Sequence, residues 1–141
     1  MAARAPQDDQ HLVIDIHDLL FRWDDAAPVV LVLGKLSIAP GEHIFIEGPS
    51  GSGKSTLLSL LAGVTAAQRG SVRVLGKDLE RLSSVERDHF RADHIGYIFQ
   101  MFNLIPYLSV VENVTLPCRF SPSRRAKAIA RTGGLEREAR R

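Results

Sequence analysis

The sequence has little cysteine and no long apolar run, and these shortages exclude several classes of protein. Its 141 residues include one cysteine, Cys118, which excludes an internal disulfide framework and a zinc site built from cysteines. The apolar runs are short, as at residues 28–33, whereas a membrane-spanning helix needs about 20 residues. The first ten residues carry acids where a signal peptide has an apolar stretch, so the sequence predicts a cytoplasmic protein without an export signal.

Positive charge is concentrated at the C-terminal end. Residues 1–118 carry 10 basic and 14 acidic side chains, while residues 119–141 carry 8 basic and 2 acidic ones. A nucleic-acid-binding protein usually spreads its positive charge over a folded face, so no nucleic-acid partner is expected. The basic tail has two interpretations, which the sequence leaves open: a solvated helix face, or a contact with anionic lipid.

Short strands dominate the first part of the sequence, and helices dominate the rest. The predicted strands cover residues 12–16, 19–23, 29–33, 36–38, 43–47, 71–75 and 95–100. The predicted helices cover residues 54–62, 83–94, 109–117 and 123–131. Ser109 and Glu112 form a capping-box pattern, as do Ser83 and Glu86. This order predicts an α/β fold with an antiparallel β layer at its N-terminal end.

A glycine-rich segment between a predicted strand and a predicted helix matches the phosphate-loop pattern G-x-x-x-x-G-K-[ST]. Glycines let the backbone approach a polyphosphate closely, and backbone N–H groups with the following helix hold the anion. In such a loop Lys54 reaches the β- and γ-phosphates, and the Ser55 hydroxyl binds Mg²⁺. The predicted nucleotide-binding residues of the loop are Gly48, Pro49, Ser50, Gly51, Ser52, Gly53, Lys54, Ser55 and Thr56.

Two stretches around and after this loop point to one family. GPSGSGKSTLLSLLAGV covers the loop, and IGYIFQMFNLIP with LSVVENV follows in the same order as in the family. The sequence resembles ATP-binding-cassette (ABC) transporter ATPases, and within them the lipoprotein-release and macrolide-efflux branch, over residues 12–118. The resemblance implies an incomplete P-loop core of the RecA type, an N-terminal antiparallel β layer and the start of a helical subdomain. It implies ATP and Mg²⁺ as ligands.

The resemblance also implies roles for two residues outside the loop. Gln100 lies at the position of the glutamine that contacts Mg²⁺ and the attacking water, so Lys54 and Gln100 are the predicted catalytic residues and Ser55 and Gln100 the predicted magnesium ligands. Trp23, the one tryptophan, lies where the family places an aromatic side chain on the adenine ring. The alternative for Trp23 is simple packing of a large aromatic side chain.

Three further family motifs are missing after Gln100: an LSGGQ-type signature, an apolar strand ending in Asp-Glu, and a switch histidine. The sequence is therefore expected to be the N-terminal part of such an ATPase. Its expected parts are a disordered N-terminus (residues 1–10), a partial nucleotide-binding domain (11–118) and a basic tail from a truncated helical subdomain (119–141). Binding of Mg-ATP is expected to survive, but turnover by this chain alone is not.

Partners and location are implied by the resemblance alone. They are a membrane permease, contacted through residues 103–117, and a second ATP-binding subunit, on the cytoplasmic face of the inner membrane. Two alternative functions stay open at this point. One is a catalytically inert nucleotide-binding fragment. The other is a different P-loop enzyme, such as a kinase or a GTPase, although the N-K-x-D base reader of GTPases is not in the sequence.

Overall fold

A computed structural model describes residues 12–101 and 103–132 of the chain. The chain divides into two compact units, one ending at Ser84 and the other beginning at Val85. The predicted disordered N-terminus and the last residues of the predicted basic tail lie outside the described residues. No helix in the described part of the chain is long and apolar enough to cross a membrane.

The first unit is built on a four-stranded antiparallel sheet. Its strands are β1 (Ile14–Phe21), β2 (Leu31–Ile38), β3 (Arg69–Val74) and β4 (Lys77–Asp78). They are arranged in the order β2-β1-β3-β4, and every neighbouring pair is antiparallel. The predicted N-terminal antiparallel layer is therefore confirmed, with the strand predicted at residues 71–75 joined to it.

Strand β1 continues through a position where the sequence predicts a break between two strands. Asp18 has a left-handed backbone (φ 49°), and the register with β3 shifts between His17 and Leu20. Such a bulge adds one residue to the strand. Even-numbered side chains face the core before the bulge, and odd-numbered side chains face it after the bulge. Ile16 before the bulge and Leu19 after it are consequently both buried. The two predicted strands are one bulged strand.

Two predicted strands are not found in the described residues. Residues 43–47 and 95–100 have no strand partner there, and Phe45 and Ile98 are 87% and 96% exposed. A strand is stabilised by ladder hydrogen bonds and by packing on both sides of its sheet, and β propensity does not replace them. The prediction of strands at these two places is wrong for this structure.

Helix α1 (Lys54–Leu61) packs one side against the four-stranded sheet of the same unit. Leu57 and Leu60 are buried and lie three residues apart, as the predicted helical spacing requires. The N–H of Gly63 donates to the carbonyl of Leu60 (3.0 Å), which closes the last turn. The predicted helix at residues 54–62 is thus confirmed.

The second unit contains four helices among its described residues: α2 (Ser84–His94), α3 (Val110–Thr115), α4 (Pro117–Phe120) and α5 (Pro122–Thr132). The capping box of Ser109 and Glu112 is present at the start of α3. Hydrogen bonds from the hydroxyl and the N–H of Ser109 hold the pKa of Glu112 below its usual range. Helix α3 ends at Thr115, just before Pro117, where the sequence predicts its end. Pro117 occupies the first turn of α4, where its missing N–H costs no hydrogen bond.

Two carboxyl groups lie close together at and just after the end of β4, those of Asp78 and Glu80. Glu80 Oε2 accepts a hydrogen bond from the N–H of Val72 (2.9 Å). Asp78 Oδ2 pairs with Arg81 Nε (3.1 Å), whereas Asp78 Oδ1 is buried without a donor among the described residues. Burial, and next to it the hydrogen bond with Asp78, raise the pKa of Glu80. A proton on Glu80 can therefore be donated to Asp78.

Because the pKa of Glu80 is higher in the folded than in the unfolded chain, its proton stabilises the fold at low pH. This stabilisation is fully present below the unfolded pKa and is lost as the pH rises through the folded pKa. We expect Glu80→Gln to remove that part of the pH dependence and to leave the chain at least as stable at pH 7, since the amide can both accept from Val72 and donate to Asp78.

The measurement is urea unfolding followed by circular dichroism at a series of pH values from about 4.5 to 8. Glu47→Gln, at an exposed carboxylate, is the matched control and should keep the slope of the parent chain. The carboxyl pair would be misassigned if Glu80→Gln kept that slope too, or if it lowered the free energy of unfolding at pH 7.

Candidate functional site

The glycine-rich loop ends where α1 begins, and the start of the helix is suited to an anion. Gly53 is the N-cap residue of α1 with a left-handed backbone (φ 88°), and no side chain caps the helix. No acidic residue lies in the first turn. The backbone N–H groups at the start of a helix carry partial positive charge, and they donate hydrogen bonds to phosphate oxygens when a phosphate group is bound.

The ammonium group of Lys54 is held by the loop itself. Lys54 Nζ donates to the carbonyl oxygens of Gly48 and Pro49, both at 2.7 Å, and to Ser52 Oγ at 3.2 Å. These contacts fold the loop around a positive charge. A phosphate group entering the loop would meet an ammonium and backbone N–H donors together.

Two glycines of the loop leave no room for a side chain. A Cβ atom at Gly48 would lie 2.7 Å from Ser52 Oγ, and one at Gly53 would lie 3.2 Å from the carbonyl oxygen of Val30. At Gly53 the positive φ adds backbone strain for any other residue. The loop therefore packs closely on itself and on the residue before β2, which fits a site that brings backbone N–H groups to a polyphosphate.

The two hydroxyl residues after Lys54 differ in their surroundings. Ser55 is exposed in the first turn of α1, whereas Thr56 is buried. An exposed hydroxyl beside a phosphate loop is the kind of oxygen ligand that Mg²⁺ accepts together with phosphate oxygens. Ser55 therefore fits the predicted magnesium role, and Thr56 contributes to the packing of α1.

Trp23 is an exposed aromatic side chain held by a buried one. It lies just after β1 and is 63% exposed. Its ring meets the buried Phe21 edge-on, with ring centroids 5.0 Å apart and an interplanar angle of 85°. An edge-on contact leaves much of the indole free for another ring.

The end of β1 and the phosphate loop are linked through Val30. The N–H of Val30 donates to the carbonyl oxygen of Phe21 (2.9 Å), and the carbonyl of Val30 lies against Gly53. Phe21 also supports Trp23. Val30 thus contacts both the residue that supports the predicted base-stacking Trp23 and the last glycine of the predicted phosphate loop.

Gln68 is a site residue that sequence reasoning missed. Its side chain closes two hydrogen bonds with the backbone of Arg22: the N–H of Arg22 donates to Oε1 (3.0 Å), and Nε2 donates to the carbonyl of Arg22 (2.7 Å). This clamp fixes the backbone immediately before Trp23. The two residues are 46 positions apart, and no local sequence signal connects them.

Gln100 belongs to the second unit. It is exposed and lies in a segment without regular secondary structure, so its role beside a nucleotide stays a prediction. After it, the side chain of Asn113 organises a loop: Oδ1 accepts the N–H of Ile105 (2.8 Å), and Nδ2 donates to the carbonyls of Ile105, Leu108 and Ser109. This ordered loop and α3 carry exposed apolar side chains, namely Leu104, Tyr107, Val110 and Val114.

Comparison with known proteins gives a consistent result. The family profile described as "ABC transporter" matches residues 34–141. An uncharacterized ABC transporter ATP-binding protein of Mycobacterium tuberculosis is 45% identical over 113 residues, which are 79% of this chain and 46% of that protein. The lipoprotein-releasing system ATP-binding protein LolD of Novosphingobium aromaticivorans is 39% identical over 100 residues, 71% of this chain and 45% of LolD.

A solved structure agrees with the sequence matches. The dimeric ATP-binding cassette MJ0796, bound to ADP and Pi, superimposes with a TM-score of 0.69 and 35% identity over 76% of this chain and 47% of that one. The chain therefore spans about half the length of these relatives. The resemblance deduced from the motifs is confirmed.

The clamp on Arg22 predicts a measurable change at Trp23. Removing both hydrogen bonds with Gln68→Ala should loosen the segment by about 1–3 kcal/mol, since each bond contributes roughly 0.5–1.5 kcal/mol. We expect lower fluorescence anisotropy of Trp23 and stronger quenching by iodide. Gln68→Glu, which keeps an acceptor for the N–H of Arg22, should have a smaller effect.

The readout is clean because the sequence has one tryptophan. Arg69→Ala, at the exposed neighbouring position, is the control. Identical anisotropy and quenching in Gln68→Ala and the parent chain would show that the clamp does not position Trp23.

Proposed function

We propose, since this chain belongs to the ABC transporter family, that it binds Mg-ATP and so energises transport through a membrane permease. The observation that carries the proposal is the position of Lys54, whose ammonium is held within the loop by the carbonyls of Gly48 and Pro49. The chain spans 46% of a relative's length, so transport and hydrolysis are proposed for the whole protein, and nucleotide binding for the described residues.

The phosphates are assigned to the loop and the start of α1. In this assignment the ammonium of Lys54 contacts the β- and γ-phosphates, and backbone N–H groups among residues 50–56 donate to phosphate oxygens. The absence of acidic side chains from the first turn supports it, because a carboxylate there would repel the anion. ADP and Pi are bound in the related cassette MJ0796.

Mg²⁺ is assigned to the hydroxyl of Ser55, whose exposure supports the assignment because the side chain is open to a ligand. The assignment of Gln100 as a second ligand rests on the family resemblance alone. The ion supplies charge neutralisation between phosphate oxygens when bound. Ser55 would orient it, and no proton transfer is assigned to Ser55 or to Gln100.

The adenine ring is assigned to Trp23. An exposed indole supported from behind by Phe21 offers a stacking surface, and Gln68 fixes the backbone before it. Stacking on an aromatic side chain contributes about 1–3 kcal/mol per base and tolerates exchange of one aromatic residue for another.

The permease is assigned to the loop that Asn113 organises. Its exposed apolar side chains form a surface that a protein partner can cover, and internal hydrogen bonds already order the backbone. Order before binding lowers the entropic cost of association. A second ATP-binding subunit is also proposed, as the related cassette MJ0796 is dimeric, and the complex would lie on the cytoplasmic face of a membrane.

Replacing Lys54 should strongly weaken nucleotide binding. Each hydrogen bond from a charged group contributes about 1.5–3 kcal/mol. Lys54→Ala should therefore weaken the binding of a fluorescent ATP analogue by about tenfold to a hundredfold. Lys77→Ala removes an exposed lysine from β4 and should bind as the parent chain does. Equal affinities in the parent chain and Lys54→Ala would overturn the assignment of the phosphate loop.

The adenine assignment predicts a graded series at Trp23. Its fluorescence should change on addition of Mg-ATP, Trp23→Ala should lower the affinity by about 1–3 kcal/mol, and Trp23→Tyr should be nearly neutral because an aromatic face remains. Direct titration calorimetry measures all three chains. If the fluorescence of Trp23 did not change at saturating Mg-ATP, and Trp23→Ala bound Mg-ATP as tightly as the parent chain, Trp23 would serve packing instead.

A further inference from the structure

Helix α5, the last helix among the described residues, carries positive charge that the proposed nucleotide site does not use. Helix α5 contains four basic side chains and no acidic one; the basic residues are Arg124, Arg125, Lys127 and Arg131. Even with the two acids that follow, residues 119–141 keep 8 basic against 2 acidic groups. Arg119 lies near Glu112, and most of the remaining positive charge is not balanced within the segment itself.

One side of α5 is attached to the protein. Arg124 Nη2 donates to the carbonyl of Ile95 (2.6 Å), and the N–H of Arg124 donates to the buried hydroxyl of Ser121 (3.0 Å). That hydroxyl in turn donates to Asp93, and this bond holds the pKa of Asp93 below its usual range. Arg124 and Ala128, one turn apart, are the half-buried residues of the helix. They define its inner side.

The opposite side of α5 is apolar and exposed. Ala126, Ile129 and Ala130 share one side because they are three and four residues apart, and all three are exposed, Ile129 by 43%. At 3.6 residues per turn this apolar stripe points away from Arg124. Arg125 and Lys127 flank the stripe, one on each side. An apolar stripe flanked by basic residues is the pattern of a helix that lies in a membrane surface.

We propose that α5 binds the surface of an anionic phospholipid bilayer, with the apolar stripe toward the lipid and Arg125 and Lys127 at the headgroups. The proposal rests on the proposed function only in that a permease partner brings the chain to a membrane. A lipid surface fits better than nucleic acid or an acidic protein, because its anionic headgroups can bind the basic side chains while the adjoining acyl region contacts the apolar stripe. The stripe is short, so the binding should be weak and sensitive to salt.

The test is co-sedimentation of the full chain with vesicles, without nucleotide. We expect binding to vesicles of phosphatidylcholine with phosphatidylglycerol at low salt, loss of binding at high salt, and no binding to pure phosphatidylcholine. Each basic group near an anionic surface contributes about fivefold in affinity. Arg125→Gln with Lys127→Gln should therefore weaken binding roughly 25-fold, and glutamine keeps the helix propensity.

Two matched controls separate α5 from general charge and general hydrophobicity. Lys35→Gln with Arg69→Gln removes the same charge from exposed positions of the sheet and should change binding only slightly. Ile129→Gln should weaken vesicle binding, whereas Val85→Gln, at an exposed valine of α2, should not. If either double variant failed to keep the circular dichroism of the parent chain, the single variants would replace it.

Several results would overturn the proposal: no binding of the parent chain to the anionic vesicles, equal losses in the two charge variants, or no effect of Ile129→Gln. If polyglutamate or duplex DNA displaced the chain from the vesicles, and Ile129→Gln bound the vesicles as the parent chain does, the helix would be a binding site for a polyanion instead. Lys54→Ala should bind vesicles as the parent chain does, so a failed nucleotide site and a failed lipid site are distinguishable.

Discussion

The contact between the ammonium of Lys54 and the carbonyls of Gly48 and Pro49 sets the shape of the phosphate loop. A loop that places a cation among its own carbonyls must turn tightly, and the glycines at both ends permit that turn. The same residue begins α1, so the position of the charge is fixed by the packing of Leu57 and Leu60 on the sheet unit. The proposed phosphate site thus depends on packing in the core, to which its own residue Thr56 contributes.

The sheet carries this arrangement from the loop to the tryptophan. Val30, just before β2, contacts Gly53 on one side and the end of β1 on the other. Phe21 is buried and supports the exposed Trp23. The loop proposed for phosphate and the side chain proposed for a base are therefore both connected to the end of β1 and the residue before β2.

Local signals in the sequence predicted local structure well. The capping box of Ser109 and Glu112, the helix that begins at Lys54 and the antiparallel layer follow from residue spacing, and all are present. Predictions that depend on a contact with a residue distant in the sequence were wrong or were not made. The segment at residues 43–47 has strand propensity but no neighbouring strand among the described residues, and the left-handed Asp18 turned two predicted strands into one. Gln68 was missed because its partner, Arg22, is defined only by the folded chain.

The most direct measurement is hydrogen–deuterium exchange of the backbone amides of residues 48–56, with and without Mg-ATP. If these N–H groups hold the phosphates of a nucleotide whose γ-phosphate contacts Lys54, their exchange should slow on addition of Mg-ATP, while strand β2 at residues 31–38 exchanges unchanged. Identical exchange of residues 48–56 in the presence and absence of saturating Mg-ATP would contradict a nucleotide site at this loop.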